Sequence, residues 1–213
     1  MVQRTYEQVR KSGLFEKVIV ATDDKRIFDH VIEFGGEAMM TSESHQSGTD
    51  RCGEVVEKLG ENFDYVINVQ GDEPFILKQQ LEDLVETLKN GPEIATLIRK
   101  IDDISYLDNP NKPKVVIDLQ GNALLFSRSK IPFQRNSHIE YDYFHHIGVY
   151  AFKPKVLKDI VKLEQSPLEK IELLEQLRWM ENGYKIKTAI TNSESIGIDT
   201  PEDLLKLKEN GKI

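Results

Sequence analysis

Two aspartates carry the strongest chemical signal in the sequence. Asp72 follows an apolar run and a glycine in VINVQGDEP, and Asp199 lies in SIGIDTPEDL. A carboxylate at the end of a parallel strand is well placed to bind Mg²⁺, a hard cation that prefers oxygen ligands. A solvated turn also explains Asp72, and support of a helix cap also explains Asp199. We expect the two carboxylates to share one ion if both strands end at the same edge of the sheet.

The segment HQSGTDR is a polar loop that enters a predicted helix. Ser47 and Gly48 allow backbone amides to face a ligand, and a helix N-terminus favours anions. Arg51 has the length and the donors to reach a phosphate or a base edge. The alternative is an ordinary capped helix with Thr49 as its N-cap residue. Cys52 has no histidine beside it in the sequence, so we do not expect it to be a nucleophile.

Two cations follow a predicted strand in the segment FSRSKIPF. Arg128 and Lys130 suit an anionic substrate, because a guanidinium can bind a carboxylate through two parallel hydrogen bonds. A solvated basic loop is the alternative. His145 and His146 precede another strand, where a place at the surface or at the edge of the core is commoner than a catalytic role.

The segment PLEKIELLEQLRWMENG is predicted to form one amphipathic helix over residues 167–182. Apolar side chains and Arg178 recur at helical spacing on one face of it. Glu175 and Gln176 lie near the middle of this helix, where a solvated face is the favoured interpretation.

Composition excludes several classes of protein. The chain has 213 residues, of which 39% are hydrophobic and 30% are charged, as is typical of a folded globular domain. No apolar stretch approaches the ~18 residues of a membrane span, and no signal-peptide pattern opens the chain. The net charge of −8 disfavours nucleic-acid binding. The single cysteine excludes an intramolecular disulfide and fits a cytoplasmic protein, and the common P-loop, dinucleotide-binding and zinc motifs are absent.

Strands and helices alternate in the first half of the sequence. We predict strands at 17–21, 37–41, 64–69 and 94–99. We predict helices from a cap at Thr22 or Asp23 to Phe34, ended by Gly35-Gly36, and at 50–59 and 77–89. This order predicts a single α/β domain over residues 1–213 with a mostly parallel sheet. The first residues, MVQRTYEQVRKSG, are predicted as the body of a helix that places Val2, Tyr6 and Val9 on one face.

The second half of the sequence has a different pattern. Apolar runs at 114–119 and 123–127 flank Gln120-Gly121-Asn122, which predicts a β-hairpin. Further strands are predicted at 146–152 and 185–191, and further helices at 154–161 and 201–209. We therefore expect an inserted hairpin region near residues 100–150 that contributes to a dimer interface.

Several segments together resemble one enzyme family. In the order found in 3-deoxy-manno-octulosonate cytidylyltransferases, or CMP-Kdo synthetases, the sequence contains VIVATDD, HQSGTDR, VINVQGDEPFI, KVVIDLQGNALLFSRSKIPF, HIGVYAF, SPLEKIELLEQLR and GIDTPEDL. The resemblance spans residues 1–209. It implies a three-layer, Rossmann-like fold of the nucleotide-diphospho-sugar-transferase type. It also implies an Mg²⁺-dependent homodimer that transfers CMP from CTP to 3-deoxy-D-manno-octulosonate (Kdo), releases pyrophosphate and supplies lipopolysaccharide synthesis.

The resemblance implies roles for individual residues. Asp72 and Asp199 would hold Mg²⁺, and together with Arg128 they are the expected catalytic residues. The CTP contacts would come from Ser47, Gly48 and Arg51. The residues expected around the sugar acid are Gln70, Arg128, His146, Tyr150, Glu175 and Gln176.

One part of the family pattern is missing. The family opens with a strand and a loop of the type IPARxxSxRxPGKP, which supplies Arg and Lys to the triphosphate, and Met1 aligns just after that loop. We therefore expect this chain to lack the first strand and the main phosphate cradle. The alternatives to Kdo activation are a cytidylyltransferase for another acidic sugar, of the amino-Kdo or sialic-acid type, and an inactive homologue that only binds ligand.

Overall fold

A computed structural model describes residues 1–193 of the chain. Within this part the chain forms two compact units. The first unit contains Met1–Leu59 and Val69–Glu82, and the second contains Gly60–Asn68 and Asp83–Asn192. The assignment of one domain stays a prediction, because compactness alone does not test whether a unit folds independently.

The first unit begins with the predicted helix. Its elements are α1 (Val2–Ser12), β1 (Val20–Thr22), α2 (Lys25–Glu33), β2 (Ala38–Met40) and α3 (Gly48–Leu59). β1 and β2 pair in parallel, with Val20 opposite Ala38 and Thr22 opposite Met40. The predicted strand–helix–strand order is confirmed, although both strands are shorter than predicted.

The cap of α2 lies just beyond the predicted positions. Asp24, rather than Thr22 or Asp23, precedes the helix, and its Oδ1 accepts a hydrogen bond of 2.8 Å from the backbone N–H of Arg26. A side-chain oxygen at this position satisfies a backbone donor that the first helical turn cannot pair. The predicted glycine at the other end is confirmed, because Gly35 has a φ of 79° that residues with a Cβ rarely adopt.

The second unit is built on a six-stranded sheet. Its strands are β3 (Val66–Asn68), β4 (Ile94–Lys100), β5 (Lys114–Ile117), β6 (Ala123–Ser127), β7 (Phe144–Phe152) and β8 (Ile186–Thr191). They follow the order β6-β5-β7-β4-β8, and β3 pairs with β7. β3 and β5 lie at opposite ends of β7, since Val66 is opposite Phe152 and Lys114 is opposite His145. The predicted hairpin is confirmed as β5 and β6.

Antiparallel pairing is more frequent than the alternation of elements predicts. β1–β2 and β4–β8 are parallel, whereas β3–β7, β4–β7, β5–β6 and β5–β7 are antiparallel. Three of the four antiparallel pairs involve β7, and the fourth is the β5–β6 hairpin. The sheet expected to be mostly parallel is therefore mixed in the part of the chain that the structure describes, and the α/β class is as predicted.

Four helices come after β3 in the described part of the chain: α4 (Lys78–Leu88), α5 (Pro154–Ile160), α6 (Pro167–Glu172) and α7 (Gln176–Glu181). A short 3-10 helix, Ile104–Asp108, follows β4. None of the helices within residues 1–193 is long and apolar enough to cross a membrane. The helix predicted at 201–209 lies outside the described residues.

The single helix predicted over 167–182 is wrong. The chain interrupts it at Leu173, whose φ of 52° is left-handed, so α6 and α7 are separate helices. Arg128 stabilises the break, because its Nε donates to the Glu172 carbonyl at 2.6 Å and its Nη2 donates to the Leu173 carbonyl at 3.2 Å. In a continuous helix these carbonyls would accept hydrogen bonds from the next turn.

The core of the second unit is centred on β4. This strand pairs with β7 on one side and with β8 on the other, and its residues Ile94–Ile98 are all buried. Trp179 of α7 packs edge-on against Phe152 of β7, with ring centroids 5.3 Å apart. Because the backbone and the large rings are fixed in this way, the polar side chains of β4 and β7 have few alternative conformations.

Candidate functional site

The turn after β3 carries Asp72. The backbone N–H of Glu73 donates to the Gln70 carbonyl at 3.2 Å, which closes the turn, and Thr5 Oγ1 donates to the Gly71 carbonyl at 3.2 Å. Asp72 is exposed, and a Cβ added at Gly71 would meet no atom within 4 Å. The turn therefore places the exposed Asp72 beside an open stretch of backbone at Gly71.

The donor chemistry of this turn fits Mg²⁺. The ion commonly takes one or two protein carboxylates and completes its shell with water and phosphate oxygens. Asp72 would be one such carboxylate. Asp199, the second predicted ligand, lies outside the described residues, and within residues 1–193 no group of three or more His, Cys, Asp or Glu side chains is arranged to hold a metal. The shared ion stays a prediction.

The predicted CTP residues lie around the start of α3. Ser47 Oγ accepts from the backbone N–H of Asp50 at 3.1 Å, so Ser47 acts as the cap. The alternative with Thr49 as the N-cap residue does not hold, because Thr49 lies inside the helix that begins at Gly48. Ser47 therefore has a structural role, and the backbone at Gly48 lies at the helix N-terminus, where anions are favoured.

Arg51 connects the ends of β1 and β2. Its Nη2 lies 2.6 Å from Asp23 Oδ2, and its Nη1 donates to Thr41 Oγ1 and to the Ser42 carbonyl, both at 2.9 Å. These contacts use three of the five donors of a guanidinium. Arg51 is therefore held in one position next to the start of α3 while it keeps donors for a further anion.

The loop before α3 is fixed by Glu54. This carboxylate accepts from the Ser42 backbone at 2.8 Å and pairs with Lys58 at 2.6 Å and with His45 at 2.5 Å. Hydrogen bonds from Lys58 and the Ser42 backbone, helped by His45, lower the pKa of Glu54 to about 2. The loop that leads to the predicted CTP residues is thus anchored by an ionised carboxylate.

A second set of polar residues is buried in the second unit. Asn68 lies opposite Tyr150 in the β3–β7 ladder, and Thr96 lies opposite Tyr150 in the β4–β7 ladder. Directly opposite residues of a sheet project on the same face, so the three side chains form a row across three strands. His146 of β7 joins this row. We call Asn68, Thr96 and Tyr150, together with the half-buried His146 and the buried Gln176 of α7, the buried polar cluster.

His146 is held by neighbours on three sides. Its Nε2 lies 3.1 Å from Thr96 Oγ1, and its ring centroid lies 5.2 Å from that of Phe126 and 5.2 Å from that of Tyr150. Burial, with a smaller contribution from the adjacent His145, lowers the pKa of His146 to about 3. The imidazole is therefore neutral at physiological pH, and only one of its nitrogens carries a hydrogen.

Tyr150 is buried with an unsatisfied hydroxyl. Trp179 packs edge-on against its ring at 5.0 Å. Burial raises the pKa of Tyr150 well above its ordinary value, the charge of Glu175 raises it further, and the nearby Thr96 hydroxyl lowers it slightly. The hydroxyl nevertheless completes no hydrogen bond of normal geometry with any described residue.

Two amides in the same cluster are also unsatisfied. Asn68 Nδ2 and Gln176 Nε2 are buried and have no hydrogen-bond partner among residues 1–193. Leaving a buried polar group without a partner costs about 1–3 kcal/mol, and such groups in folded proteins call for an explanation. The three groups, on Asn68, Tyr150 and Gln176, are buried polar atoms whose hydrogen bonds water or a polar ligand can complete.

Glu175 is positioned by a buried ion pair. Arg178 Nη2 lies 2.9 Å from Glu169 Oε1 and 3.4 Å from Glu175 Oε1. The side chains of Arg178 and Glu169 are each 7% exposed, whereas that of Glu175 is 25% exposed. The predicted solvated face is therefore wrong for Gln176, which is buried, and Glu175 is half-buried beside the cluster.

The structure brings some of the predicted sugar-acid residues together, whereas the guanidinium of Arg128 already donates hydrogen bonds to protein carbonyls. In the second unit the rings of His146 and Tyr150 are in contact, and the charge of Glu175, which precedes the buried Gln176 in the chain, acts on Tyr150. Arg128 lies in the same unit, but three of its side-chain nitrogens donate to the carbonyls of Pro110, Glu172 and Leu173. Gln70 is half-buried in the turn of the first unit.

Sequence reasoning missed Asn68 and Thr96. Both are polar residues inside apolar strands, in VINV and IATLI, and both are buried, at 5% and 0% exposure. Such an interruption is a usable signal, because a buried polar side chain costs free energy unless a partner satisfies it. Their opposition to Tyr150 was not predictable, since strand pairing brings them together from distant parts of the chain.

Comparison with known proteins gives the class to which this fold and site belong. Residues 1–187 match the family model described as cytidylyltransferase. The fold is similar to that of a putative glucose-1-phosphate thymidylyltransferase from Bacillus anthracis, which is 15% identical with a TM-score of 0.65 over 99% of this chain and 82% of that one. The chain therefore has the fold of sugar nucleotidyltransferases and belongs to the cytidylyltransferases.

Closer relatives define the family. CMP:2-keto-3-deoxy-manno-octonic acid synthetase, solved in complex with CTP, is 38% identical with a TM-score of 0.91 over 99% of this chain and 87% of that one. The 3-deoxy-manno-octulosonate cytidylyltransferases of Cytophaga hutchinsonii and Phocaeicola vulgatus are 49% and 51% identical, over 97% of this chain and 85% and 84% of theirs. The chain belongs to the 3-deoxy-manno-octulosonate cytidylyltransferase family, which confirms the resemblance seen in its sequence.

Proposed function

We propose that the protein transfers CMP from CTP to Kdo and releases pyrophosphate. The anomeric hydroxyl of Kdo attacks the α-phosphorus, a new phosphorus–oxygen bond forms, and the bond to the β-phosphate breaks. The observation that carries this proposal is the buried polar cluster, whose three unsatisfied groups occur in a chain of this family. A polyhydroxylated sugar acid has the hydroxyl and carboxylate oxygens that those groups require.

The cluster offers complementary groups to such a sugar. The amide N–H groups of Asn68 and Gln176 donate to oxygens, and the Tyr150 hydroxyl both donates and accepts. Glu175 accepts from sugar hydroxyls. Since each of the three unsatisfied groups gains a partner on binding, the free energy that their burial costs in the free enzyme is recovered as affinity.

Two further residues are proposed for the sugar acid. Arg128 keeps two guanidinium donors beyond those bound to carbonyls, which suits contact with the sugar carboxylate. Gln70 has an amide that can bind a sugar hydroxyl. Each is an expectation that follows from the family pattern, and Arg128 additionally stabilises the break between α6 and α7.

For CTP, we propose the start of α3 as the anion-binding element. An anion at this position would accept hydrogen bonds from the backbone amides near Gly48 and from the remaining donors of Arg51. The helix dipole favours negative charge there. Ser47 holds this turn in place through its bond to Asp50. Mg²⁺, held by Asp72 and by Asp199, would neutralise charge on the phosphates.

The remaining parts of the proposal concern the cellular context. We propose a cytoplasmic homodimer that supplies activated Kdo for lipopolysaccharide synthesis. The single cysteine is compatible with a reducing compartment, and the hairpin β5–β6 exposes Leu124 and Leu125 at 58% and 38%, which suits a subunit interface. Analytical ultracentrifugation tests the dimer, and a monomer at micromolar concentration would contradict it.

Pyrophosphate release from CTP tests the proposed reaction. The protein is incubated with CTP, MgCl₂ and either Kdo, N-acetylneuraminic acid or no sugar, and CMP-Kdo is identified directly by mass spectrometry. We expect release with Kdo only. Strict preference for another acidic sugar would replace Kdo as the substrate, and binding of Kdo or CTP by calorimetry without any release would show a protein that only binds ligand.

Asp72→Asn tests the metal role within the same assay. The variant removes a charge but keeps the shape, so we expect loss of Mg²⁺-dependent release with little change in stability, because Asp72 is exposed. Asp64→Asn is the matched control, since Asp64 is an exposed carboxylate just before β3. Activity of Asp72→Asn at the level of the Asp64→Asn control would remove Asp72 from the metal role.

A further inference from the structure

Thr96 lies at the centre of a small hydrogen-bond arrangement. Its Oγ1 lies 2.8 Å from the Val149 carbonyl, 3.4 Å from the Ile147 carbonyl and 3.1 Å from His146 Nε2. Thr96 is 0% exposed, so no solvent competes with these contacts. Every polar neighbour of the hydroxyl in this arrangement belongs to β7.

The directions of these bonds follow from counting hydrogens. A threonine hydroxyl has one hydrogen and two lone pairs, whereas a carbonyl can only accept. The hydrogen therefore points to the Val149 carbonyl, which is the nearest acceptor. The contact with His146 then uses a lone pair of the Thr96 oxygen, and Nε2 must be the nitrogen that carries the imidazole hydrogen.

An irregularity in the sheet creates this arrangement. Thr96 is paired with Tyr150, but the next residue, Leu97, is paired with Ile147, so β7 has extra residues at this step. Such bulges redirect side chains and are frequent next to functional sites. Here the bulge turns the carbonyls of Ile147 and Val149 to the same hydroxyl.

We propose that Thr96 is a positioning residue that fixes His146 in the Nε2–H tautomer and thereby presents its Nδ1 as a hydrogen-bond acceptor. The neighbouring rings of Phe126 and Tyr150 hold the imidazole plane. The low pKa of His146 keeps the second nitrogen unprotonated. The identity of its partner rests on the proposed function: a hydroxyl group of the sugar acid donates a hydrogen bond to Nδ1.

His145 provides an internal control with the opposite tautomer. Its Nδ1 lies 3.3 Å from the His146 carbonyl, and because a carbonyl only accepts, the hydrogen of His145 is on Nδ1. Burial lowers the pKa of His145 to about 4, so this ring is also neutral at pH 7. Two adjacent histidines are therefore expected to be opposite tautomers.

Nitrogen NMR distinguishes the tautomers directly. In the ¹⁵N-labelled protein at pH 7.5, long-range ¹H–¹⁵N spectra separate protonated from unprotonated ring nitrogens, and His146→Gln and His145→Gln assign the two signals among five histidines. We expect His146 to be protonated at Nε2 and His145 at Nδ1. An Nδ1–H tautomer of His146 in the native protein would overturn the proposal.

Two variants of Thr96 test its part. Thr96→Ser keeps the hydroxyl and should leave the His146 tautomer unchanged, whereas Thr96→Val keeps the shape without the acceptor and should produce a mixture of both tautomers. The His145 signals should not move in either variant. Should Thr96→Val fail to fold, the native and Thr96→Ser spectra still decide, and a His146 tautomer that changes in Thr96→Ser contradicts the role of the hydroxyl.

Kinetics link the tautomer to substrate. We expect Thr96→Val to raise the KM for Kdo about tenfold, as expected for loss of one oriented hydrogen bond, with the KM for CTP unchanged and Thr96→Ser near native. An equal rise in both KM values would indicate a general structural effect and contradict the positioning role. Failure of the native protein to use Kdo would refute the proposed function, whereas the tautomer measurement would still stand by itself.

Discussion

Arg178 and Glu169 form a buried ion pair, with 2.9 Å between Nη2 and Oε1 and 7% of each side chain exposed. The pair joins α6 to α7 across the break at Leu173, and Glu169 also accepts from the Ser166 backbone at 3.2 Å. The same guanidinium lies 3.4 Å from Glu175, so it connects the packing of two short helices to the candidate sugar site.

Replacing Arg178 by methionine should destabilise the protein strongly. Removing one partner of a buried pair leaves the other charge uncompensated and costs about 3–5 kcal/mol. Urea denaturation measures the change. Lys170→Met is the matched control, because Lys170 is exposed on α6 and should change the free energy of unfolding by less than about 0.5 kcal/mol. Equal effects of the two variants would show that the Arg178 pair does not stabilise the fold.

Tyr150→Phe should separate stability from binding. The Tyr150 hydroxyl is buried without a hydrogen bond to any described residue, so its removal should leave the free energy of unfolding unchanged or raise it by up to about 1 kcal/mol. The affinity for Kdo should fall at the same time, because the ligand loses a partner. Calorimetry with Kdo and thermal denaturation of the free protein measure the two effects.

Tyr143→Phe is the matched control for that experiment. Tyr143 is similarly buried, but its hydroxyl donates to the Pro132 carbonyl at 3.2 Å. Loss of this bond should cost about 1 kcal/mol of stability. A Tyr150→Phe variant that loses as much stability as Tyr143→Phe, with unchanged affinity for Kdo, would contradict the assignment of the Tyr150 hydroxyl to ligand.

Gly71→Ala should reduce activity without destabilising the protein. A Cβ at Gly71 meets no atom within 4 Å, so the free protein has room for a methyl group. If substrate approaches this backbone, the methyl group will collide with it, and we expect pyrophosphate release to fall at least tenfold. Gly36→Ala is the contrasting variant, because its Cβ would lie 2.6 Å from the Phe34 ring and should cost about 1–3 kcal/mol of stability. Native activity of Gly71→Ala would place the substrate away from this turn.

The lowered pKa values of His145 and His146 should make the protein less stable in mild acid. Burial lowers the pKa of His146 to about 3 and that of His145 to about 4, whereas an unfolded histidine titrates near 6.5. Below pH 6.5 the unfolded state therefore binds more protons than the folded state, and the free energy of unfolding falls as the pH falls. The loss continues to about pH 4 for His145 and about pH 3 for His146.

Urea denaturation at pH 7, 6 and 5 measures this dependence. Each histidine contributes a slope of up to about 1.4 kcal/mol per pH unit within its window, and His146→Gln should remove its own share. His145→Gln should remove the contribution of His145, which covers a narrower pH range because its pKa is lowered only to about 4. A pH dependence that is identical in the native protein and in both variants would contradict the low pKa values.

Local patterns in the sequence were sufficient for most of the elements. The β-branched run before Thr22, the Gly35-Gly36 pair and the turn at Gln120–Asn122 predicted β1, the end of α2 and the β5–β6 hairpin, because each depends on residues close in the chain. The break at Leu173 was not predictable in this way. Arg128, which lies 45 residues from Leu173 in the sequence, satisfies the carbonyls at the break.

The candidate site likewise has features that the local sequence predicts and features that depend on strand pairing. Residue types and spacing alone predicted the turn at Asp72 and the polar loop before α3, and the resemblance of several segments to 3-deoxy-manno-octulosonate cytidylyltransferases indicated the family. Tertiary structure decided which residues share a place: Asn68 and Thr96 flank Tyr150 only because β3 and β4 both pair with β7. The physical reason is that a helix or turn is specified by neighbours in the chain, whereas strand register and the satisfaction of buried polar groups depend on contacts between segments that are far apart in sequence.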